Sequence, residues 1–281
     1  MVALASIATL AKSYDKEMSK PTDPQYLRKQ YGDASNLNAR IGLHARFSTN
    51  PLGFQRWVFD LLRLSAASRV LEVGCGPGSL WVSNRERIPD GWHLVLTDFS
   101  RGMVEHARLN LTSTGVQVGY ANADAQALPF GDGLFDGVIA NHMLYHVPGR
   151  GKALVEIRRV LKPGGHLYAS TVGKGHMVEL SDLLHAFNPR APRLWNSLME
   201  SFIIENGQEQ LEEYFDGVTF HRYENTLVVT EAAPLVDYAR STGVGAYFDE
   251  ELLTRYVEER LAQEGPISIR SDTGMFEAVK R

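Results

Sequence analysis

Val70-Leu71-Glu72-Val73-Gly74-Cys75-Gly76-Pro77-Gly78 is an apolar run carrying one acid that breaks abruptly into three glycines at alternate positions. An apolar run without alternation suits a strand buried on both faces of a parallel sheet, and the glycines suit a tight turn against which a flat ligand can press. The spacing is G-x-G-x-G, with Ser79 where the dinucleotide fingerprint needs its third glycine. Glu72 adds a buried carboxylate just before the turn, which that fingerprint does not require.

Working outward, the residues before this stretch, 1 to about 65, carry helical patterns and no strand. Asp23-Pro24 starts one helix, with the proline in the permitted first turn. Trp57, Val58, Leu61, Leu62 and Leu64 form an apolar helical face. Met1–Ala11 lacks the basic segment of a secretory signal and reads either as a short helix capping the domain or a neighbouring subunit, a surface for homo-oligomer formation, or as a frayed terminus. After the glycines, strand and helix signals alternate. Leu94–Thr97 is a second strand, Val116–Tyr120 a third, Asp136–Ala140 a fourth and His166–Thr171 a fifth. Between them Met103, Val104, Ala107 and Leu111 follow the N-cap Ser100, and Leu154, Ile157, Val160 and Leu161 run up to a Lys162-Pro163-Gly164-Gly165 stop. Such strand–helix–strand repeats predict an α/β fold, a parallel sheet with helices on both faces.

The remainder is less regular. Residues 173–205 read as helical and inserted, with a break at Asn188-Pro189. A helix at about Gln208–Phe215, strand character over Val218–Val229, and helices over Pro234–Ser241 and Asp249–Gln263 follow. Ile267–Arg270 and Met275–Val279, split by Ser271-Asp272-Thr273-Gly274, read as a hairpin or a bulged last strand. The expected organisation is thus a helical cap (1–65), a ligand-binding core (66–172), a helical lid (173–205) and a segment completing the core sheet with two inserted helices (206–281).

Composition narrows the function classes. With 44% hydrophobic and 22% charged residues and a net charge of −4, the chain reads as an ordinary globular protein without the basic balance that nucleic acid usually demands. No apolar run approaches the ~20 residues of a membrane span. A single cysteine, Cys75, excludes an internal disulfide and a thiolate-rich metal site, so no metal is expected and a reducing, cytoplasmic setting fits.

Glu72, Asp98 and Asp124 fall at equal intervals, each holding one strand–helix unit, so all three carboxylates reach the same sheet edge. In open parallel sheets ligands bind at that carboxyl edge. Asp98 can accept both hydroxyls of a ribose, and Asp124 can accept adenine amino hydrogens while the Ala125 amide donates to the ring. A nicotinamide-binding fold shares these features up to the second acid. The displaced third glycine, Glu72, and the third acid ahead of Leu128-Pro129-Phe130 separate the two.

The strings VLEVGCGPG, LTDFS-x-x-M, NADAQALPF, FDGVIANHMLYHV and IRRVLKPGGHLYAS, in this order over residues 70–171, resemble class I S-adenosylmethionine (SAM)-dependent methyltransferases, in the broad family that includes the ubiquinone/menaquinone-biosynthesis type. The resemblance implies a Rossmann-like, seven-stranded, mostly parallel sheet. It also implies that Gly74 and Gly76 admit the methionine part of SAM, Asp98 holds the ribose, Phe99 packs on the adenine, and Asp124 and Ala125 read its edge. Asn141 would offer its backbone carbonyl to the ammonium group. Glu72 would reach that region through water or backbone amides, or simply fix the glycine loop. Cys75 would be a loop filler.

In this family helices before the first strand fold over the cofactor, which makes Tyr31 a lid residue and Arg46 or Arg40 a partner for the SAM carboxylate, against the alternative of a solvated helix face. Methyl transfer from a sulfonium mainly needs alignment, so a general base is optional. His142 and His146, four apart, are the candidate bases, His146 also fitting a packing role, with Tyr14, Tyr31 and His176 as further candidates. Met177, Phe187, Trp195, Leu198 and Phe202 would line an apolar acceptor pocket or form the insertion's own core. The expected activity is methyl transfer to a small-molecule acceptor at oxygen, nitrogen or carbon, with S-adenosyl-L-homocysteine (SAH) as product. The rivals are a SAM-binding protein with a non-methylating activity such as a cyclisation, and an NAD-dependent oxidoreductase. Nucleic-acid methylation is disfavoured, because Asn141-His142 lacks the proline-rich signature of base-methylating enzymes.

Overall fold

The computed structural model describes residues 22–23, 35–112, 117–194 and 201–281. The expectations for Met1–Ala11, Tyr14, Tyr31, Trp195 and Leu198, and for the helix opened by Pro24, fall outside the described residues.

Two helices, α1 (Ser35–Phe47) and α2 (Phe54–Leu61), precede β1 (Arg69–Val73). The core then runs α3 (Ser79–Asn84), β2 (His93–Asp98), α4 (Arg101–Leu111), β3 (Val118–Asn122), β4 (Phe135–Asn141), α5 (Arg150–Val160) and β5 (Leu161–Val172). Next come α6 (Val178–Phe187), α7 (Ile204–Glu212), β6 (Asp216–Tyr223), β7 (Thr226–Val229), α8 (Ala232–Ser241), α9 (Glu250–Glu264), β8 (Ile267–Arg270) and β9 (Thr273–Val279). Seven strands form one sheet in the order β3-β2-β1-β4-β5-β9-β6. The first five run parallel, and β9 lies antiparallel between β5 and β6. The expected Rossmann-like sheet is what the chain forms. Strand order reverses between β1 and β4, where a crevice opens at the carboxyl edge.

Strand alternation explains the core on each face. Leu71 and Val73 point to the side packed by Leu154 and Ile157 of α5, whereas Val70 points to the side holding Val58 of α2, Trp81 of α3 and Trp92. The hydroxyl of Ser100 accepts from the Met103 amide at 3.4 Å, so this residue caps α4 as its sequence position suggests.

The C-terminal part departs from expectation. Val218–Val229 is not one strand: it splits at Glu224-Asn225 into β6, at the edge of the large sheet, and β7, which belongs to a separate two-stranded sheet with β8. Leu227 faces Ile269 in that pairing. Ile267–Arg270 and Met275–Val279 therefore form neither a hairpin nor one bulged strand; Ser271-Asp272 carries the chain from one sheet to the other. The helix expected near Gln208–Phe215 starts earlier, at Ile204.

These differences have one cause, a second apolar core gathered from distant parts of the chain. Leu43 of α1, Leu180 and Leu184 of α6, Leu227 of β7, Leu235 of α8 and Val257 of α9 pack together. This cap covers the carboxyl edge of the sheet. Met177 and Phe187 belong to its core, while Phe202 packs instead on Phe276 of β9, at 5.9 Å between ring centroids. No helix among the described residues is long and apolar enough to cross a membrane.

Candidate functional site

Between the carboxyl edge of the sheet and the cap lies a cavity of about 740 Å³. Its floor is the glycine turn after β1. Gly74 has φ 70, and a Cβ there would lie 2.8 Å from Cβ of Met143, so only glycine lets the β1 and β4 ends approach this closely. Gly78, at φ 78, opens α3 in the left-handed region.

The three evenly spaced acids do converge here: Glu72, Asp98 and Asp124 all line the cavity. Asp98, at the end of β2, accepts the Gly76 amide on Oδ2 at 3.0 Å and the Ser100 amide on Oδ1 at 2.7 Å. Each oxygen keeps a second acceptor site. Burial pushes its pKa up, against the pull of those two amides. The ring of Phe99 is 42% exposed and borders the cavity next to it. Asp124 follows β3 in a turn closed by its own side chain, Oδ1 accepting the Gln126 amide at 2.9 Å. Ala125 is buried beside it.

Glu72 is 2% exposed, and its partners are side chains rather than backbone amides. The Trp81 indole donates to Oε2 at 2.6 Å and the Asn141 amide to Oε1 at 3.4 Å, while Asn141 Oδ1 accepts from the Ser170 hydroxyl at 3.1 Å. Burial, first of all, lifts the Glu72 carboxyl to about 8. Its position ties α3, on the far side of the glycine turn, to the ends of β1 and β4. Cys75 is buried and its thiol is pushed well up by burial and by the neighbouring acids, which leaves it inert as a nucleophile.

His142 and His146 both border the cavity but do not share a helical face. The helical turn begins only at Leu144, so the four-residue spacing loses its meaning. His142 sits at φ 48, a left-handed conformation uncommon outside glycine, held by its amide donating to the Ser170 hydroxyl at 3.0 Å. Burial, then His44 and His146, lower its pKa to about 4. His146 packs its ring on Tyr145, centroids 4.6 Å apart.

Arg46 does not face the cavity. It pairs with Glu231 at 2.7 Å with both groups about half exposed. The helix period explains this: His44 and Arg40, four apart on α1, face inward, and position 46 is turned to the opposite side. Arg40 borders the cavity with its guanidinium bound to the Ser241 carbonyl at 2.6 Å and hydroxyl at 3.1 Å.

Sequence patterns assign no individual role to His44, Gln55 or Arg56, all of which line the cavity, as does the candidate His176. His44 stacks on His176, centroids 6.0 Å apart and planes within 5°. Burial lowers His44 to about 4 and His176 well below its ordinary value. The signal for His44 was its place on the inward stripe of α1 with Leu43 and Phe47. Gln55 and Arg56, in the first turn of α2, border the cavity near Ser79 and Ser83. Gln55 Oε1 is buried with no hydrogen-bond partner among the described residues. A buried acceptor left open costs stability unless something occupies it, so it marks a place for a donor. Among the described residues, no group of three or more His, Cys, Asp and Glu side chains is arranged to hold a metal.

A family model for a methyltransferase domain matches residues 71–169, which span β1 to β5. The ubiquinone/menaquinone biosynthesis C-methyltransferase UbiE of Vibrio parahaemolyticus is 31% identical over 186 residues, covering 62% of this chain and 71% of the relative. The chain belongs to the class I SAM-dependent methyltransferases. Among other relatives of this methyltransferase, the malonyl-[acyl-carrier protein] O-methyltransferase of Erwinia pyrifoliae is 38% identical over 173 residues, 60% of this chain and 62% of that protein. In three dimensions it superimposes on the [4+2]-cyclase SpnF with a TM-score of 0.55 at 17% identity, over 92% of this chain and 96% of that one, a likeness of fold alone. SAM is the cofactor of this family, and the donor set suits it: Asp98 and Asp124 present acceptor oxygens for hydroxyl and amino hydrogens, and Gln55 Oε1 is an unengaged acceptor on the same cavity for an ammonium group.

Proposed function

We propose that this methyltransferase transfers the methyl group of SAM to a small-molecule acceptor enclosed beneath the cap. The observation that carries the reading is one continuous cavity joining the glycine turn and its three acids to a chamber walled by the cap. Asp98 holds the ribose hydroxyls, Phe99 covers the adenine, and Asp124 with the Ala125 amide reads its edge. Gly74 and Gly76 let the backbone approach the methionine part. Its ammonium group is received by the Asn141 carbonyl and by Gln55 Oε1, and Arg56, which makes no ion pair among the described residues, takes the carboxylate role expected of Arg46. Glu72 acts behind these groups by fixing Asn141 and α3.

The bound sulfonium supplies a methyl group with a neutral leaving group, so the chain's task is alignment and the exclusion of water. Alignment alone can supply about 7–11 kcal/mol. The cap residues hold the acceptor over the donor, and His142, neutral at pH 7, is placed to take a proton, a contribution of about 10²- to 10⁴-fold where the acceptor must lose one.

Titration calorimetry with SAH and with NAD tests the donor, and mass spectrometry of an acceptor incubated with SAM tests the reaction. Binding of SAH but not NAD, with one methyl gained per SAH released, is the expected result. NAD binding without SAH binding contradicts the reading. SAH binding with a product isomeric with the substrate replaces methyl transfer by a cyclase-type reaction.

A further inference from the structure

Only two non-glycine residues among those described have positive φ, His142 at 48° and Met177 at 57°, and Met177 directly follows His176. One of these positions is a histidine and the other follows one, and both histidines line the cavity. Strain of this kind persists where surrounding structure demands it. With His44 from α1, three imidazoles from separate segments converge on one chamber.

The hydrogen bonds fix which nitrogen of His142 is basic. The Thr273 hydroxyl donates its one proton to the Thr171 carbonyl at 2.9 Å, so towards His142 Nε2, 3.4 Å away, it can only accept. Nε2 therefore carries the hydrogen and Nδ1 carries the lone pair. The Phe54 ring lies 5.0 Å from the His142 ring, with Tyr223 edge-on to Phe54 at 5.5 Å, making an aromatic wall against the imidazole.

Acidic groups are absent from this side among the described residues. The acids lining the cavity are Glu72, Asp98 and Asp124, all on the sheet edge; its arginines are Arg56, at the start of α2, and Arg40, whose guanidinium is held by the neutral Ser241 and keeps its charge. Burial keeps His44 and His142 at about 4, so roughly one ring in a thousand is protonated at pH 7. A cationic amine would find no carboxylate on this side to receive it and would meet the positive charge of Arg40. A neutral amine also needs no base to expose its lone pair, whereas a hydroxyl must give up its proton as oxygen is methylated.

We propose that the cap side of the cavity takes a hydroxyl-bearing aromatic ring without a cationic group and that methylation falls on its oxygen, with Nδ1 of His142 accepting the hydroxyl and the stacked His44–His176 pair engaging a second polar substituent. In the step, an oxygen lone pair forms the new C–O bond while the C–S bond breaks with its electron pair returning to sulfur. The hydroxyl proton passes to Nδ1 and then to solvent. This inference rests on the methyl donor proposed above, and its test separates the two.

Matched probes differing only in the acceptor atom, phenol, catechol and 2-naphthol against aniline, o-phenylenediamine and 2-naphthylamine, are incubated with the full chain and SAM, and products are assigned by NMR. At least one hydroxylated probe is expected to give a methyl ether at ten times or more the rate of its amine partner. His142→Asn, whose side chain tolerates the left-handed backbone, should lower kcat on that probe by about 10²- to 10⁴-fold with SAH affinity unchanged. His44→Phe should raise KM for catechol more than for phenol. Methyl on nitrogen or carbon, no ether from any hydroxylated probe while SAH still binds, or an unaltered kcat in His142→Asn overturns the inference and spares the donor reading. Loss of SAH binding in the unmodified chain overturns both.

Discussion

The Gly76 amide donates to Oδ2 of Asp98 at 3.0 Å, so the residue proposed to hold the ribose also holds the turn on which the methionine part would rest. One carboxylate joins the ends of β1 and β2, and its other oxygen takes the Ser100 amide that begins α4. Loop shape and nucleotide recognition are thereby linked through a single side chain.

Asp98→Ala should therefore act twice. Two charge-assisted bonds to the ribose, at about 1.5–3 kcal/mol each, imply a loss of SAH affinity of at least 100-fold. Freeing the Gly76 and Ser100 amides should also lower the melting temperature by several degrees. Asp98→Asn, which keeps an acceptor of the same shape, should retain more of the stability than of the affinity. Calorimetry and thermal denaturation on the two variants check this, and affinity that survives in Asp98→Ala sinks the ribose role.

Gly74→Ala places a Cβ 2.8 Å from Cβ of Met143 and puts alanine at φ 70. Left-handed backbone in a residue with a Cβ costs about 1–2 kcal/mol, before any shift of Met143 is counted. Chemical denaturation should register that loss, with weakened SAH binding alongside it. Gly133→Ala, also at positive φ but with open space around it, should show only the backbone part.

Glu72 makes the free protein's stability depend on pH in an unusual sense. Its folded value of about 8 lies above its ordinary one, so the folded state binds the extra proton and stability falls as pH rises from about 4.5 to 8. His44 and His142, lowered to about 4, act oppositely: the unfolded state binds the extra protons, and stability falls as pH drops from about 6.5 to 4. Their combined effect is a stability maximum near pH 6.5, with each limb sloping at up to about 1.4 kcal/mol per pH unit per group involved. Glu72→Gln should flatten the alkaline limb and His44→Phe the acid one. Thermal shift across pH 4 to 9 measures both.

The same carboxyl should titrate when the cofactor enters. A sulfonium and an ammonium beside Glu72 favour its ionised form, so SAM binding near pH 7 should release up to one proton. Calorimetry in two buffers of different ionisation enthalpy reads this directly. Equal heats in both buffers contradict it, and Glu72→Gln should abolish any difference.

Much of the sheet edge was legible because its chemistry is local. Glu72, Asp98 and Asp124 each follow one strand–helix unit, so spacing alone placed them on one side. The cap was not legible, since its core joins Leu43 to Leu184, Leu227 and Val257, contacts between distant segments that no periodicity announces. The split of Val218–Val229 follows from the same packing, because Leu227 serves the cap core while Tyr223 stays in the large sheet. Arg46 misled because guanidinium chemistry suited the ligand while helix phase placed it on the far face. His44 belongs to the same patterned segment as Arg40 and Arg46, but only its inward phase on α1, which no local motif announces, separates it from its neighbours as a lining residue.

The most direct test of the account is a crystal structure of the chain with SAH. The account predicts the ribose hydroxyls within hydrogen-bond distance of Asp98, the adenine against Phe99 and Asp124, and the sulfur facing the chamber that holds His142. A nucleotide bound away from Asp98, or a sulfur turned from that chamber, would contradict it.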